Sequence, residues 1–271
     1  MSFDERAVLI AGASAGIGLE VARAFARHGA DLALAARGAE RLEAVAAELR
    51  TFGGRVEVIP TDVADPAACL ALVSAAVERL GRLDVLVNNA GLHHRGPFGD
   101  HDPLAYAAMV DVNLRAPIVL TAAALPHLRA TGGSVVNVGS LAGCLPLPEA
   151  AVYSATKAGL RTLSLALAGG LEGVRVSVVS PGPVATAFIL DDLDSVGDIT
   201  LAQPMSTPGD IAALVLACAA DGQPERQQPR SSGLLAGLGA TLPSLRRVLG
   251  PLMERRGRRV KERLRRAARE R

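Results

Sequence analysis

Only two tyrosines and two lysines occur in this 271-residue chain, yet one of each stands four residues apart, in Tyr153-Ser154-Ala155-Thr156-Lys157. The remaining Lys/Arg positions are 27 arginines, so a position that keeps lysine points to a need for a compact ammonium with three donors, which a planar guanidinium does not replace. Residues four apart share one face of a helix. An ammonium about 4 Å from a phenol, at an effective dielectric near 20, contributes roughly 4 kcal/mol, enough to lower a pKa of about 10 by up to about 3 units before desolvation opposes it. The chemistry expected of this pair is proton transfer to and from an oxygen near neutral pH.

A second group of residues carries a different signal. Ala11-Gly12-Ala13-Ser14-Ala15-Gly16-Ile17-Gly18 lies between the apolar run Val8–Ala11 and a helical pattern from Leu19 to His28. So sharp a strand-to-helix turn needs small residues, and its glycines let the backbone approach a pyrophosphate whose charge faces the helix N-terminus. Gly12, Ser14, Gly16, Ile17 and Gly18 are the expected contacts. At the end of the next strand, where an acidic residue would hold the ribose hydroxyls of NAD, the chain has Ala36-Arg37. Arg37 can pair with a 2′-phosphate, so NADP(H) is expected to be preferred over NAD(H).

The elements that position these groups alternate regularly. Strands are predicted at Val8–Ala11, Asp31–Ala36, Arg55–Pro60, Leu83–Asn88, Ser134–Val138 and Arg175–Val179. Helices are predicted between them at Leu19–His28, Glu40–Arg50, Pro66–Leu80, Pro103–Leu128 and Ala150–Leu171. Strands that are apolar throughout imply a parallel sheet covered on both faces, an α/β doubly wound (Rossmann) fold in one domain. Residues 1–222 form that domain, with a loop or short-helix lid from Pro183 to Pro208 and a closing helix at Gly209–Ala220. Residues 223–271 are expected to be a linker, Gly222–Ser232, followed by a basic amphipathic helical extension interrupted at Gly250-Pro251.

With the glycine turn and the Tyr/Lys pair in hand, the sequence resembles the short-chain dehydrogenase/reductase family from about Val8 to Ala220. Asp62-Val63 matches the family's adenine-contacting position, and Asn88-Asn89-Ala90-Gly91 its signature after the fourth strand. Asn113, Ser140, Tyr153 and Lys157 match its catalytic tetrad, and Pro181, Gly182 and Thr186 its nicotinamide-side segment. The resemblance implies hydride transfer between nicotinamide and a carbonyl or alcohol. Tyr153 would pass the proton, Ser140 would hydrogen-bond the reacting oxygen, and Asn113 would hold a water joining Lys157 to solvent. It also implies a final strand with a Val-Asp-Gly-Gly-like ending that the sequence lacks, so six or seven strands are expected. A cofactor-binding sensor or scaffold on the same fold is the alternative, and the intact tetrad speaks against it.

By the same resemblance, Leu92–Phe98, Leu141–Glu149 and Val184–Met205 surround the substrate. The mostly apolar middle segment favours a lipophilic carbonyl or secondary alcohol. His93-His94 reads as loop lining that cleft, with no metal expected. Three dispersed cysteines, no signal-peptide pattern and no uncharged apolar stretch of about 18 residues fit a cytoplasmic protein. The helix Ala150–Leu171, apolar around more than one face, suggests a homodimer or homotetramer. Residues 246–271 carry 12 basic and 3 acidic side chains, net +9, against 17 basic and 24 acidic before them, net −7. This extension is expected to dock on an anionic membrane's inner face, to pack on the protein's own acidic body, or to do little; without aromatic stacking groups, no nucleic acid is expected.

Overall fold

Short runs of Val, Leu, Ile and Ala bounded by turn residues are best buried on both faces at once, and a parallel sheet does this. The computed structural model describes residues 2–233 and 243–269. Its strands are β1 (Ala7–Ala11), β2 (Asp31–Ala36), β3 (Val56–Pro60), β4 (Val85–Asn88), β5 (Ser134–Val138), β6 (Arg175–Pro181) and β7 (Glu225–Gln228). They form one parallel sheet in the order β3-β2-β1-β4-β5-β6-β7. The order reverses between β1 and β4, the topological switch point where open α/β sheets bind ligands beyond the strands' carboxyl ends.

The helices are α1 (Gly16–Arg27), α2 (Ala39–Leu49), α3 (Pro66–Leu80), α4 (Pro103–Val110), α5 (Ala116–Thr131), α6 (Ala151–Gly170), α7 (Ala187–Leu190), α8 (Asp198–Leu201), α9 (Pro208–Asp221) and a C-terminal helix (Pro243–Arg269). Because successive strand residues face opposite sides, Val8 and Ile10 of β1 join Val21 and Phe25 of α1 and Ile211 and Val215 of α9 in one core. Leu9 joins Leu72 and Val73 of α3 and Leu120 and Leu128 of α5 in the other. The helix predicted over 103–128 is α4 and α5, joined by a π-helical turn at Asp111–Arg115 that contains the buried Asn113.

Two expectations are corrected. Glu225–Gln228, inside the stretch read as a linker, is the seventh strand and pairs with β6 at Val178–Pro181. An edge strand needs no apolar alternation; all four residues are half-buried, and Arg161 of α6 fastens Glu225 through two hydrogen bonds of 2.7 and 2.6 Å. The C-terminal helix also continues through Pro251. Proline removes one donor and strains one turn, whereas the helix beyond it is held from outside. Val260 and Leu264 pack against a small core of Ile189, Val196 and Leu201 in the segment between β6 and α9.

Candidate active site

The glycine turn follows β1 and is pinned from β4. Asn89 donates its side-chain amide to the Gly12 carbonyl at 2.8 Å. Gly12 has φ +85°, and a Cβ there would lie 2.7 Å from the Ala90 nitrogen; one at Gly18 would collide with the Gly12 carbonyl oxygen. The turn is therefore closed to larger residues, and it delivers the chain into α1, whose N-cap Ala15 makes no side-chain cap and whose first turn holds no acid. Its first N–H groups stand at a cleft with no carboxylate in their own turn to compete, which suits a phosphate.

That cleft, about 1320 Å³, runs from Gly12, Ser14, Gly16 and Ile17 past Arg37, Asp62 and Val63, then by Asn89, Ala90 and Gly91 to Ser140, Tyr153 and Lys157, and on to Pro181, Gly182 and Thr186. It exceeds the roughly 300–1,000 Å³ usual for a single small ligand, leaving room for a dinucleotide and a second molecule. The residues fit a nicotinamide dinucleotide: a cradle closed to Cβ atoms, unoccupied helix donors, and two exposed arginines, Arg37 and Arg41, at one end. Gly18 is buried behind the turn rather than in the wall, and shapes it from there. Arg41, in the first turn of α2, joins Arg37 at the cleft, and only the fold brings the two together. Thr186 bridges the two sides of the cleft; its methyl group lies 3.3 Å from where a Cβ on Gly16 would stand.

At the other end stands the group expected to move protons. Tyr153 and Lys157 lie on α6, one turn apart, with the Lys157 Nζ 5.8 Å from the phenol ring centre and donating to the Val138 carbonyl at 2.9 Å. Burial pushes the Lys157 ammonium down to about 8. Burial also pushes the Tyr153 phenol above its usual value, against a hydrogen bond from Ser140 and the charge of Arg95, which pull it down. The expected lowering by Lys157 is thus corrected: desolvation of the phenol dominates, and the ammonium is turned to the Val138 carbonyl. Ser140 caps the turn after β5, its hydroxyl oxygen accepting from Ala142 N at 3.1 Å.

Asn113 reaches this group in an unexpected way. Its Oδ1 accepts from Leu92 N at 2.8 Å, and its Nδ2 donates to the Leu92 carbonyl at 2.8 Å and to Thr156 Oγ1 at 3.2 Å. Both Nδ2 hydrogens and one Oδ1 acceptor site are used in clamping the loop after Gly91 to α6. His93, next on that loop, stacks on Tyr153 with ring centres 4.0 Å apart and planes 14° apart. Arg95 donates to the Phe188 carbonyl at 2.7 Å and lies over the Phe188 ring, tying the loop to α7.

All three segments expected around the substrate line the cleft. A fourth wall, not expected from the sequence, comes from the C-terminal helix. Gly250, Met253, Glu254 and Lys261 of the C-terminal helix face the same cavity. Lys261, the chain's second lysine, donates to the Asp194 carbonyl at 3.1 Å and pairs with Asp198 at 3.7 Å; Arg258 pairs with Asp198, and Arg265 with Asp194. Of the three roles entertained for the extension, packing on the acidic body is the one these contacts realise. The scarcity of lysine was the signal for Lys261 too. No group of three or more His, Cys, Asp or Glu side chains placed to hold a metal occurs among the described residues.

A switch-point cleft with a glycine-lined phosphate cradle at one end and a tyrosine–lysine–serine group at the other defines a dinucleotide-dependent oxidoreductase. A family model described as short chain dehydrogenase matches residues 6–193, and the chain belongs to that family. It is 36% identical over 225 residues to trans-4-hydroxycyclohexanecarboxylate dehydrogenase of Sinomonas cyclohexanicum, covering 80% of this chain and 86% of that protein. It is 38% identical to 11-beta-hydroxysteroid dehydrogenase-like 3 of Arabidopsis thaliana over 67% of this chain and 60% of that longer protein. A short chain dehydrogenase from Burkholderia cenocepacia, solved in complex with NADP, superposes with TM-score 0.75 at 33% identity, covering 84% of this chain and 97% of that one.

Proposed function

We propose that the protein is an NADP(H)-dependent oxidoreductase that interconverts a lipophilic ketone or aldehyde and its alcohol, with Tyr153 as general acid and base. The observation that carries this reading is the single cleft joining the glycine cradle to Tyr153, Ser140 and Lys157. When bound, the dinucleotide supplies or accepts the hydride. The rest falls to the chain. Gly12, Gly16 and the N-terminus of α1 hold the pyrophosphate, while Arg37 and Arg41 meet a 2′-phosphate with charge-assisted hydrogen bonds.

Because burial holds the phenol protonated at neutral pH, Tyr153 gives its proton to the alkoxide that develops as a carbonyl is reduced. Ser140 hydrogen-bonds the same oxygen. Lys157, with an ammonium that titrates near 8, returns a proton to the phenol; in oxidation the sequence reverses. Apolar walls at Leu92, Leu141, Leu145, Leu147 and Val184 suit a lipophilic skeleton, and the two dehydrogenases named above act, by their names, on alcohols carried by rings.

The fully buried residues of α6 are Ser154, Thr156, Lys157, Leu160 and Ser164, four of them polar, whereas Ala155 and Ala166 are exposed and Val152, Leu163 and Leu165 only half-buried. A helix that turns polar groups inward and apolar ones outward calls for a second subunit. Three unpaired cysteines agree with a reducing cytoplasm, and the exposed Arg255, Arg256 and Arg259 leave the outer face of the C-terminal helix open to anionic lipid at the membrane's inner side.

Spectrophotometric assay of NADPH and NADH oxidation with cyclic and acyclic ketones tests the core of the reading. Expected are turnover with at least one ketone, higher kcat/KM with NADPH, and a loss of about 10²–10⁴-fold in Tyr153→Phe. A Tyr153→Phe enzyme keeping more than about a tenth of wild-type turnover refutes the assignment of the acid.

A further inference from the structure

The proposed reaction leaves His93 without a task, although its ring stacks on the face of Tyr153. The loop that carries it is fastened twice. Asn113 grips both main-chain groups of Leu92, and His94 N donates to Met109 Sδ at 3.3 Å. The imidazole lies parallel to the phenol at 4.0 Å and 6.1 Å from the Phe188 ring centre, in the wall of the cleft. Its Nε2 is buried and has no hydrogen-bond partner among the described residues.

Such an atom demands an explanation. A neutral imidazole nitrogen is either a donor or an acceptor, and one left buried without a partner gives up a hydrogen bond it would make in water. Native proteins rarely leave such groups unpaired unless a ligand or water completes them. The ring is neutral throughout the working pH range, since burial, helped by the nearby charges of Arg95, His94 and Lys157, pushes its pKa down to about 3. It therefore offers a hydrogen bond without a charge, and cannot itself serve as an acid in the reaction.

We propose that His93 is a specificity-determining residue whose Nε2 hydrogen-bonds a second oxygen of the substrate, selecting carbonyl compounds that carry a hydroxyl or a further carbonyl within a few bonds of the reacting carbon. The inference rests on Tyr153 meeting the reacting oxygen. The stacked rings stand side by side in the wall of one cleft, so a small ligand seated against Tyr153 is also beside His93. A site that pairs a substrate oxygen rejects the analogue lacking it more strongly than an apolar pocket distinguishes one methylene, because the protein's own polar atom is then left unpaired.

The test compares 2-hydroxycyclohexanone with cyclohexanone, and 2,3-hexanedione with 3-hexanone, in wild type, His93→Phe and His93→Gln. His93→Phe keeps a ring against Tyr153 and removes the nitrogen. The expected kcat/KM ratio favours the doubly oxygenated member by about tenfold or more in wild type, falls towards one in His93→Phe, and is partly restored in His93→Gln. A ratio that survives in His93→Phe overturns the proposal. A second measurement separates this idea from the reading beneath it: ¹⁵N NMR of the His93 imidazole in full-length Tyr153→Phe protein with NADP⁺ present. The Nε2 resonance is expected to move with 2-hydroxycyclohexanone and to stay with cyclohexanone. No difference between the two ligands overturns the role of His93, whereas a selective shift without turnover in wild type sinks only the catalytic assignment of Tyr153.

Discussion

Lys157 shows how one residue's position sets a measurable property. It is 4% exposed, its ammonium spends a hydrogen bond on the Val138 carbonyl, and burial lowers its pKa from 10.5 to about 8. An unfolded chain keeps that proton to about pH 10.5, while the folded one releases it near 8. Between those values the unfolded state binds more protons, so folding stability gains from this group as pH rises. Relative to Lys157→Met, wild type should gain about 2–3 kcal/mol between pH 7.5 and 10, read from urea unfolding of the cofactor-free protein. A constant difference would mean that the ammonium is not desolvated. The Tyr153/Lys157 spacing was legible because both residue types are rare and four apart; the direction of the phenol's shift was not, since it depends on burial that no local spacing encodes.

Among elements, the contact between the C-terminal helix and α8 is the one to break. Gly257 lies so close to Asp198 that a Cβ would collide with its main-chain carbonyl. Beside that contact run the pairs from Arg258 and Lys261 to Asp198 and from Arg265 to Asp194. Gly257→Val should lift the helix from α8 and open the wall that Met253 and Lys261 give the cleft, raising KM several-fold with a smaller change in kcat. Because the ion pairs are partly exposed, raising salt from about 0.05 M to about 1 M should move wild type the same way. An unchanged KM in both experiments would detach this helix from the site. The strand–helix alternation was readable from apolar runs and glycine stops, whereas β7 was hidden: Glu-Arg-Gln-Gln has no strand pattern, and its place is fixed by β6 and by Arg161.

For the molecule as a whole, the sheet order brings the turn after β1 and the turn after β4 side by side, and one cleft serves both ends of a dinucleotide. The outward apolar side of α6 and the exposed Ile118 of α5 predict self-association. Sedimentation velocity should give a dimer or tetramer of the 27.9 kDa chain, and Ala166→Glu should shift it towards monomer by burying a charge in the contact. A monomeric wild type at micromolar concentration would remove the assembly from the reading.

By itself the sequence determined the doubly wound core, the glycine cradle and the tyrosine–lysine pair, because each is written in local terms: two-faced apolar strands, a turn only small residues allow, and a helical repeat of four. Tertiary structure alone decided that Asn113 clamps Leu92, that His93 lies against Tyr153 with an unpaired nitrogen, that a polar tetrapeptide closes the sheet, and that the basic extension lines the cleft. Those outcomes depend on which distant segments are packed together and on how much water they exclude, and neither quantity resides in any one stretch of the chain.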